Sequence, residues 1–261
     1  MYKYFFSLLL FAGTTCKSQD ETPVTGLSGA YLMLSQSLEG NSGDTTFTER
    51  RQLKIYTDHY MMYVRLSPED SVSAFGIGTF SINKGKLTEN IIYSATDTTE
   101  NTNSFSGTVN ISKRHKGYEQ VIPQIMSEKG KVRLTEDYQL LDAGLRSPLD
   151  GTWKLTAAYI INKKDTMRSN AVKYKTYYRG NFSAGSFNTK SSGEKHTIVE
   201  YGTFHLNEKN KLKENITYST ISLRNDQSYD LDILMKGNDA LTIKASYPTG
   251  IEEVEKYIRM K

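Results

Sequence analysis

Apolar and polar residues alternate with a period of two along most of this chain. The alternation is clear at residues 105–111 (FSGTVNI), 229–235 (YDLDILM) and 241–247 (LTIKASY). A period of two places successive side chains on opposite faces of a β-strand, and apolar stripes with a helical period are hard to find. Turn-forming residues such as Lys-Gly and Gly-Asn-Asp separate the runs. The pattern predicts short antiparallel strands in meander order.

The chain also contains the same pattern twice. The matching segments are 27–31 with 149–153, 78–80 with 202–204, and 87–94 with 212–219. A repeat of this length is a domain, because solenoid repeats span only about 20–50 residues. A sheet with one apolar face avoids exposed edges best by closing on itself. We therefore predict an all-β protein of two tandem antiparallel meander β-barrels, about eight strands each, at residues 27–144 and 145–261.

The start of the chain predicts export. Residues 1–15 combine Lys3 with the apolar run 5–12, which is too short to cross a membrane and is typical of a signal peptide. The run ends at Cys16, the only cysteine, and resembles a bacterial lipoprotein signal whose cysteine becomes the lipidated first residue. An ordinary secretory signal is the alternative. With residues 16–26 as a polar tether, the predicted location is the cell envelope, as an outer-membrane lipoprotein on its periplasmic or surface side.

Charge and cysteine content limit the partners and the source of stability. The 33 basic and 29 acidic residues give a net charge of +4 without a strong basic cluster, so no nucleic-acid partner is predicted. A single cysteine leaves the mature chain without a disulfide, and two domains of this size must then rely on core burial.

The second half resembles a known family. Gly151-x-Trp153 near the first strand, with Arg259 on the last, resembles the lipocalin and wider calycin pattern, in which the arginine packs across the tryptophan and closes the barrel base. The order GTWKL, YGTF, ENIxYS, IEEV resembles small lipocalin-like domains of unknown function in secreted Bacteroidota proteins. The first half has Tyr31 and Leu140 at the two closing positions, which predicts closure by apolar packing there.

The repeated segment LxENIxYS supplies the candidate binding residues. Side chains two positions apart share a strand face, so Glu89 is expected beside Tyr93, and Glu214 beside Tyr218, inside the barrels. A buried carboxylate needs a cation, hydrogen bonds or a proton. The glutamates either anchor a ligand with the tyrosines or are satisfied by Arg, Lys, Tyr or water within the barrel.

No catalytic or metal-binding motif is present in the sequence. The four histidines lack metal-ligand spacing, and no nucleophile elbow, phosphate loop or calcium loop occurs. We therefore predict a protein without enzymatic activity, cofactor or metal.

An Asp-Ser/Thr pattern occurs four times and resembles the O-glycosylation sequon of exported Bacteroidota proteins. The candidate acceptors, all expected in loops, are Thr45, Ser71, Thr98 and Thr166. Favourable turn chemistry is the alternative explanation.

The family resemblance implies barrels that bind a small hydrophobic or amphipathic ligand, with a lipid anchor as the membrane attachment. The alternative is a scaffold with filled barrels that docks on another envelope protein or a glycan. A cavity would favour the first hypothesis, and a solid interior with an exposed aromatic patch would favour the second.

Overall fold

The computed structural model describes residues 26–40, 43–67, 72–127, 130–189, 193–207 and 210–261. The predicted signal peptide, Cys16, all of the tether except Gly26, and Ser71 lie outside these residues. Within them, no helix is long and apolar enough to cross a membrane.

The first repeat folds as one closed sheet, called barrel 1. Its described strands are β1 (Gly29–Gly40), β2 (Thr45–Phe47), β3 (Arg51–Tyr56), β4 (Tyr60–Ser67), β5 (Val72–Asn83), β6 (Lys86–Thr96), β7 (Glu100–Asn101), β8 (Phe105–Arg114), β9 (Gly117–Ser127) and β10 (Gly130–Leu140). Eight of them pair in the order β1-β3-β4-β5-β6-β8-β9-β10, and β10 pairs back to β1. The short strands β2 and β7 extend β1 and β6 at one end.

The second repeat folds in the same way and is called barrel 2. Its described strands are β11 (Gly151–Asn162), β12 (Asp165–Ser169), β13 (Val172–Tyr178), β14 (Asn181–Thr189), β15 (Lys195–Leu206), β16 (Lys211–Ser219), β17 (Ser228–Lys236), β18 (Ala240–Ser246) and β19 (Ile251–Arg259), with a 3-10 turn η1 (Ser222–Arg224) after β16. β19 pairs back to β11 and closes eight strands, with β12 as an extension of β11. The predicted fold of two tandem eight-stranded antiparallel barrels is confirmed.

The apolar core is divided into three clusters. Two fill the barrel interiors, around Tyr118 in barrel 1 and around Trp153 in barrel 2. The third lies between the barrels, where the outer faces of β3–β6 meet those of β13–β15. Equivalent strands of the two repeats therefore pack on each other, and side chains on these strands alternate between a barrel interior and the interface.

The base of barrel 2 is closed by Arg259 and Trp153. The guanidinium carbon of Arg259 lies 4.1 Å from the tryptophan ring centroid, and its nitrogens donate to the carbonyls of Pro148 (2.6 Å) and Asn238 (2.5 Å). In barrel 1 the equivalent Tyr31 makes an edge contact with Tyr118, with 5.1 Å between ring centroids. The two barrels thus use different chemistry at the same end.

Replacing Arg259 with glutamine is expected to lower the free energy of unfolding by about 2 kcal/mol. The substitution removes the cation–π contact and the charged donors to the backbone carbonyls of Pro148 and Asn238. Urea unfolding followed by the fluorescence of Trp153, the only tryptophan, measures the change. Arg168→Gln, at an exposed position on β12, is the control and should change stability by less than about 0.5 kcal/mol.

Candidate functional site

The interior of barrel 2 contains a buried ion pair next to a tyrosine. Lys175 Nζ lies 2.7 Å from Glu214 Oε1, and the two side chains are only 5% and 2% exposed. The hydroxyl of Tyr177 donates to the same oxygen over 2.5 Å. Burial, together with the Glu214 charge, raises the pKa of Tyr177 well above its usual value, so the phenol stays protonated and donates. The predicted inward carboxylate is therefore held by a lysine and a tyrosine.

Barrel 1 repeats this arrangement. Lys54 Nζ lies 3.1 Å from Glu89 Oε1, which also accepts a 2.6 Å hydrogen bond from Tyr56. The partners come from Lys-x-Tyr on β3 and again on β13, where a period of two places both side chains inside. The repeated Lys-x-Tyr is the sequence signal that identifies these partners. Both glutamates thus have the contacts expected of a structural role.

The prediction that Tyr93 and Tyr218 share a face with the glutamates is wrong. In β6, Ile91 pairs with Gly78 and Tyr93 pairs with Ile77, so the residue between them forms a β-bulge. The corresponding bulge in β16 lies between Ile216 and Tyr218. An extra residue reverses the alternation beyond it, and both tyrosines therefore point out of their barrels.

These tyrosines belong to the interface between the barrels. Tyr93 contacts Tyr174 of barrel 2 with 5.3 Å between ring centroids, and Tyr218 stacks on Tyr201 at 5.9 Å. The guanidinium carbon of Arg51, from barrel 1, lies 5.0 Å from the Tyr218 ring centroid. The structure therefore does not bring the tyrosines and glutamates of the candidate set together.

A second acid lies on the last strand of both barrels, buried in barrel 1 and partly buried in barrel 2. Glu255 accepts from Lys173 Nζ and from the Tyr257 hydroxyl, each at 2.6 Å. Burial alone would raise the pKa of Glu255, but Lys173 and Lys175 outweigh it and hold that pKa at about 2. In barrel 1, Glu136 takes the equivalent place and accepts from Tyr138 over 2.9 Å.

The low pKa of Glu255 predicts a loss of stability in acid. A carboxyl whose folded pKa is depressed stabilises the fold above its unfolded pKa, near 4.5, and loses that contribution as the pH falls towards 2. Urea unfolding between pH 2 and 6 should show this decline, and Glu255→Gln should flatten it. Glu252→Gln, which removes a partly exposed acid from the other face of β19, should leave the slope unchanged.

Both barrels share an inner framework of Lys, Tyr and Glu side chains. In barrel 1, glutamines fill the interior around this framework. Gln36 donates to Glu136 over 2.6 Å, and Gln120 bridges Glu136 (3.1 Å) and Lys54 (3.0 Å). Tyr63 lies beside Lys54 in the strand pairing, and its ring covers Gly76. The polar network and this ring occupy the interior of barrel 1 beside the Lys54–Glu89 pair.

Barrel 2 has different residues at the equivalent positions, and two of them are smaller, Ala158 for Gln36 and Ala184 for Tyr63. Strand pairing gives Ala158 and Ile243 beside Glu255, where Gln36 and Gln120 flank Glu136. Beside Lys175 it gives Ala184 and then Glu200, where barrel 1 has Tyr63 and Gly76. Barrel 2 contains a cavity of about 50 Å³, lined by Lys173, Lys175, Glu200, Glu214, Arg224, Tyr229, Leu231, Ile243, Ala245, Tyr247, Glu253 and Glu255.

The end of barrel 2 opposite Trp153, called the open end, gives access to this cavity. In barrel 1 the equivalent end is covered by Phe47, which pairs with Gln36 and lies under the guanidinium of Arg50, at 3.7 Å from the ring centroid. In barrel 2 the position of Phe47 is taken by Ser169, which pairs with Ala158. The open end carries exposed apolar side chains, at Ile160 and Met167 on the β11–β12 hairpin and at Leu223 in η1.

A third ion pair lies at the open end. Arg224 Nη1 is 2.7 Å from Glu200 Oε1, which also accepts a 3.1 Å hydrogen bond from Ser219. The guanidinium carbon of Arg224 lies 4.8 Å from the Tyr229 ring centroid. Sequence reasoning missed Glu200 and Arg224, because neither belongs to a segment that the repeats share.

The arrangement is suited to binding through charge and hydrogen bonds. Each of the carboxylates Glu200, Glu214 and Glu255 has a basic partner on the barrel wall or rim. The described residues contain no group of three or more His, Cys, Asp or Glu side chains placed to hold a metal ion.

The candidate glycosylation residues do not all lie in loops. Thr98 is exposed in the turn after β6, as expected. Thr45 lies in β2 and Thr166 in β12, the short strands that extend the first hairpin of each barrel. The loop prediction was wrong for these two because the segments after the first strand of each barrel pair back to β1 and β11 as short strands.

No protein-family model and no curated protein sequence matches the chain. Among solved structures, it is similar to a DUF3598-family protein of unknown function from Nostoc punctiforme, with 12% identity and a TM-score of 0.26, over 89% of this chain and 96% of that one. It is also similar to a double mutant of transferrin binding protein B from Haemophilus parasuis, with 8% identity and a TM-score of 0.26, over 91% and 77%. These similarities do not assign a function.

Proposed function

We propose that this chain is a non-enzymatic binding protein and that the open end of barrel 2 binds the polar group of a small or amphipathic ligand. The cavity is the observation that supports this proposal. Barrel 1 keeps the same framework of Lys, Tyr and Glu but fills it with Gln36, Gln120 and Tyr63. Because a filled version of the fold exists in the same chain, the space in barrel 2 is not a requirement of the fold.

The size of the cavity limits what enters it. A dry apolar cavity of about 150 Å³ accommodates benzene, and this cavity is about 50 Å³. A single polar group fits such a volume, and a fatty acyl chain does not. The apolar part of an amphipathic ligand would then lie outside, on Ile160, Met167 and Leu223 at the open end.

The proposal includes the predicted location in the cell envelope. Lipidation at Cys16 would tether the barrels to the envelope through residues 17–26, and the proposal requires no cofactor. The pairing of Lys173, Lys175 and Arg224 with Glu255, Glu214 and Glu200, respectively, favours binding over catalysis, since a general base or nucleophile must be available to the substrate.

A second candidate function is docking on another envelope protein or a glycan. The exposed apolar side chains at the open end favour it, because such groups at one end of a barrel are suited to a protein contact. In this alternative, the ion pairs of barrel 2 only support the surface.

Native mass spectrometry of the mature protein, residues 16–261, purified gently from the host, tests the proposal. We expect an additional mass that is lost on denaturation. In Ala245→Tyr, a large ring on a residue that lines the cavity should fill it and abolish the additional mass. Thr108→Tyr, at an exposed position on β8, is the matched control and should retain it. A bare wild-type chain, or a mass that persists in Ala245→Tyr, would contradict binding in the cavity.

A further inference from the structure

We propose that the cavity of barrel 2 recognises an organic cation, either an amine or a guanidinium. In the structure, the side chain of Arg224 occupies the position that the cationic group of this ligand would take. The inference rests on the proposed binding function and specifies its ligand class. It starts from the position of Arg224, which reaches the cavity from η1, a turn without buried residues.

The carboxylate of Glu200 needs a cation at this position. Its side chain is only 5% exposed, and its basic partner at the open end is Arg224, whose side chain is 32% exposed. An unpaired buried carboxylate is costly, so departure of the arginine would require another positive group there. Barrel 1 has Gly76 at the equivalent place, so the fold itself does not require an acid at this position.

The charges around the cavity favour a cation over an anion. Three basic and four acidic side chains line it, so the basic groups leave one acid in excess. Lys173 and Lys175 are engaged by Glu255 and Glu214 on the barrel wall. The fourth acid, Glu253, accepts a hydrogen bond from Tyr247 over 3.1 Å. An incoming anion would meet basic groups that are already paired.

The tyrosine at the open end supports the same ligand class. The ring of Tyr229 lies beside the Arg224 guanidinium, and an aromatic face attracts a ligand cation in the same way. A ligand guanidinium or amine could therefore reproduce both contacts of Arg224, the carboxylate of Glu200 and the ring of Tyr229.

Exchange requires only the arginine side chain to move. The backbone around η1 is fixed by a 2.5 Å hydrogen bond from the Ser219 amide to Asn225 and a 3.0 Å hydrogen bond from the Ile221 amide to Ser219 Oγ. The partly exposed guanidinium can rotate into solvent while the turn stays in place. Arg224 thus acts as a competitor for the ligand, and its removal should raise the affinity for added cations.

Removal of Arg224 with addition of a small cation tests the inference. The probe is methylguanidinium at millimolar concentration, and its neutral analogue is N-methylurea. In Arg224→Ala we expect saturable binding, seen as shifts of the Ser219 and Tyr229 amide signals in NMR spectra and as a rise in melting temperature. The wild-type protein should bind the probe about tenfold more weakly, because Arg224 competes. If the alanine variant does not fold, Arg224→Gln takes its place.

The control variant is Arg224→Ala combined with Glu200→Gln, which should lose the binding. The inference is overturned if N-methylurea or inorganic phosphate binds as well as methylguanidinium, if binding survives Glu200→Gln, or if neither Arg224 variant binds the probe. The proposed function is tested separately by the native mass. A host-derived ligand that carries no cation would leave that function standing and overturn this inference.

Discussion

Replacing Lys175 with methionine is expected to destabilise barrel 2 by about 3–5 kcal/mol, the usual cost of leaving a buried charge without its partner. Glu214 would keep the hydrogen bond from Tyr177 but lose both contacts with the lysine, at 2.7 and 3.0 Å. Methionine has a similar volume, so the loss would come from the charge and not from a new cavity. Urea unfolding at pH 7 measures the effect.

A double variant separates the charge from the packing. Lys175→Met combined with Glu214→Leu removes both members of the pair, and replacing a buried ion pair with apolar residues is often neutral or stabilising. We therefore expect the double variant to be more stable than Lys175→Met alone. The control is Lys244→Met, because Lys244 pairs with Glu252 at the surface and should cost less than about 1 kcal/mol. Equal losses in the buried and the surface variant would contradict the structural role of the pair.

The fold could be predicted because its signals are local and are repeated. Alternation along each strand defines two faces, and the two copies of LxENIxYS place equivalent strands in equivalent domains. Closure of each sheet follows from the need to remove exposed edges. The inward direction of Glu89 and Glu214 also followed from alternation, since both precede the bulges.

The positions of Tyr93 and Tyr218 could not be obtained from alternation alone. The bulge in β6 lies opposite Gly78, and the bulge in β16 lies opposite Gly202. A Cβ at either glycine would overlap a carbonyl oxygen of the bulged strand. The glycine of each Gly-Thr-Phe segment therefore marks the bulge.

The cavity could not be predicted because it depends on which residues are paired across neighbouring strands, and this register cannot be read from the sequence. Whether a residue fills a barrel depends on its neighbours on other strands, as for Ala184 beside Lys175. The difference in how the two barrel interiors are filled becomes visible only when four paired positions on four strands are compared between the repeats. The contribution of Arg224 is even harder to predict from the sequence. Arg224 lies in a turn, and it reaches the barrel interior only because of the path that the chain takes after β16.

The contact between the barrels explains how the two repeats can be coupled. The fully buried ring of Phe75 in barrel 1 packs against the backbone of barrel 2 at Gly185, where a side chain would overlap it. Tyr93 and Tyr174 surround the same ring. The outward direction of Tyr93, set by its bulge, is thus part of this interface.

Replacing Phe75 with alanine is expected to lower the free energy of unfolding by about 3–5 kcal/mol, the usual loss for a fully buried phenylalanine. Because the lost contacts join the barrels, calorimetry should show one transition for the wild-type protein and two separated transitions for the variant. Gly185→Val should also destabilise, since its methyl groups would overlap the Phe75 ring.

Combining the two substitutions tests whether the loss of stability comes from the interface between the barrels. In Phe75→Ala with Gly185→Val, the valine enters the space that the ring vacates, so the combined loss should be smaller than the sum of the single losses. Gly26→Val is the control, since nothing lies within 4 Å of a Cβ at Gly26, and it should leave the single transition unchanged. Strictly additive losses, or one transition in Phe75→Ala, would show that the barrels are coupled elsewhere, for example through Arg146 and its ion pair with Asp58.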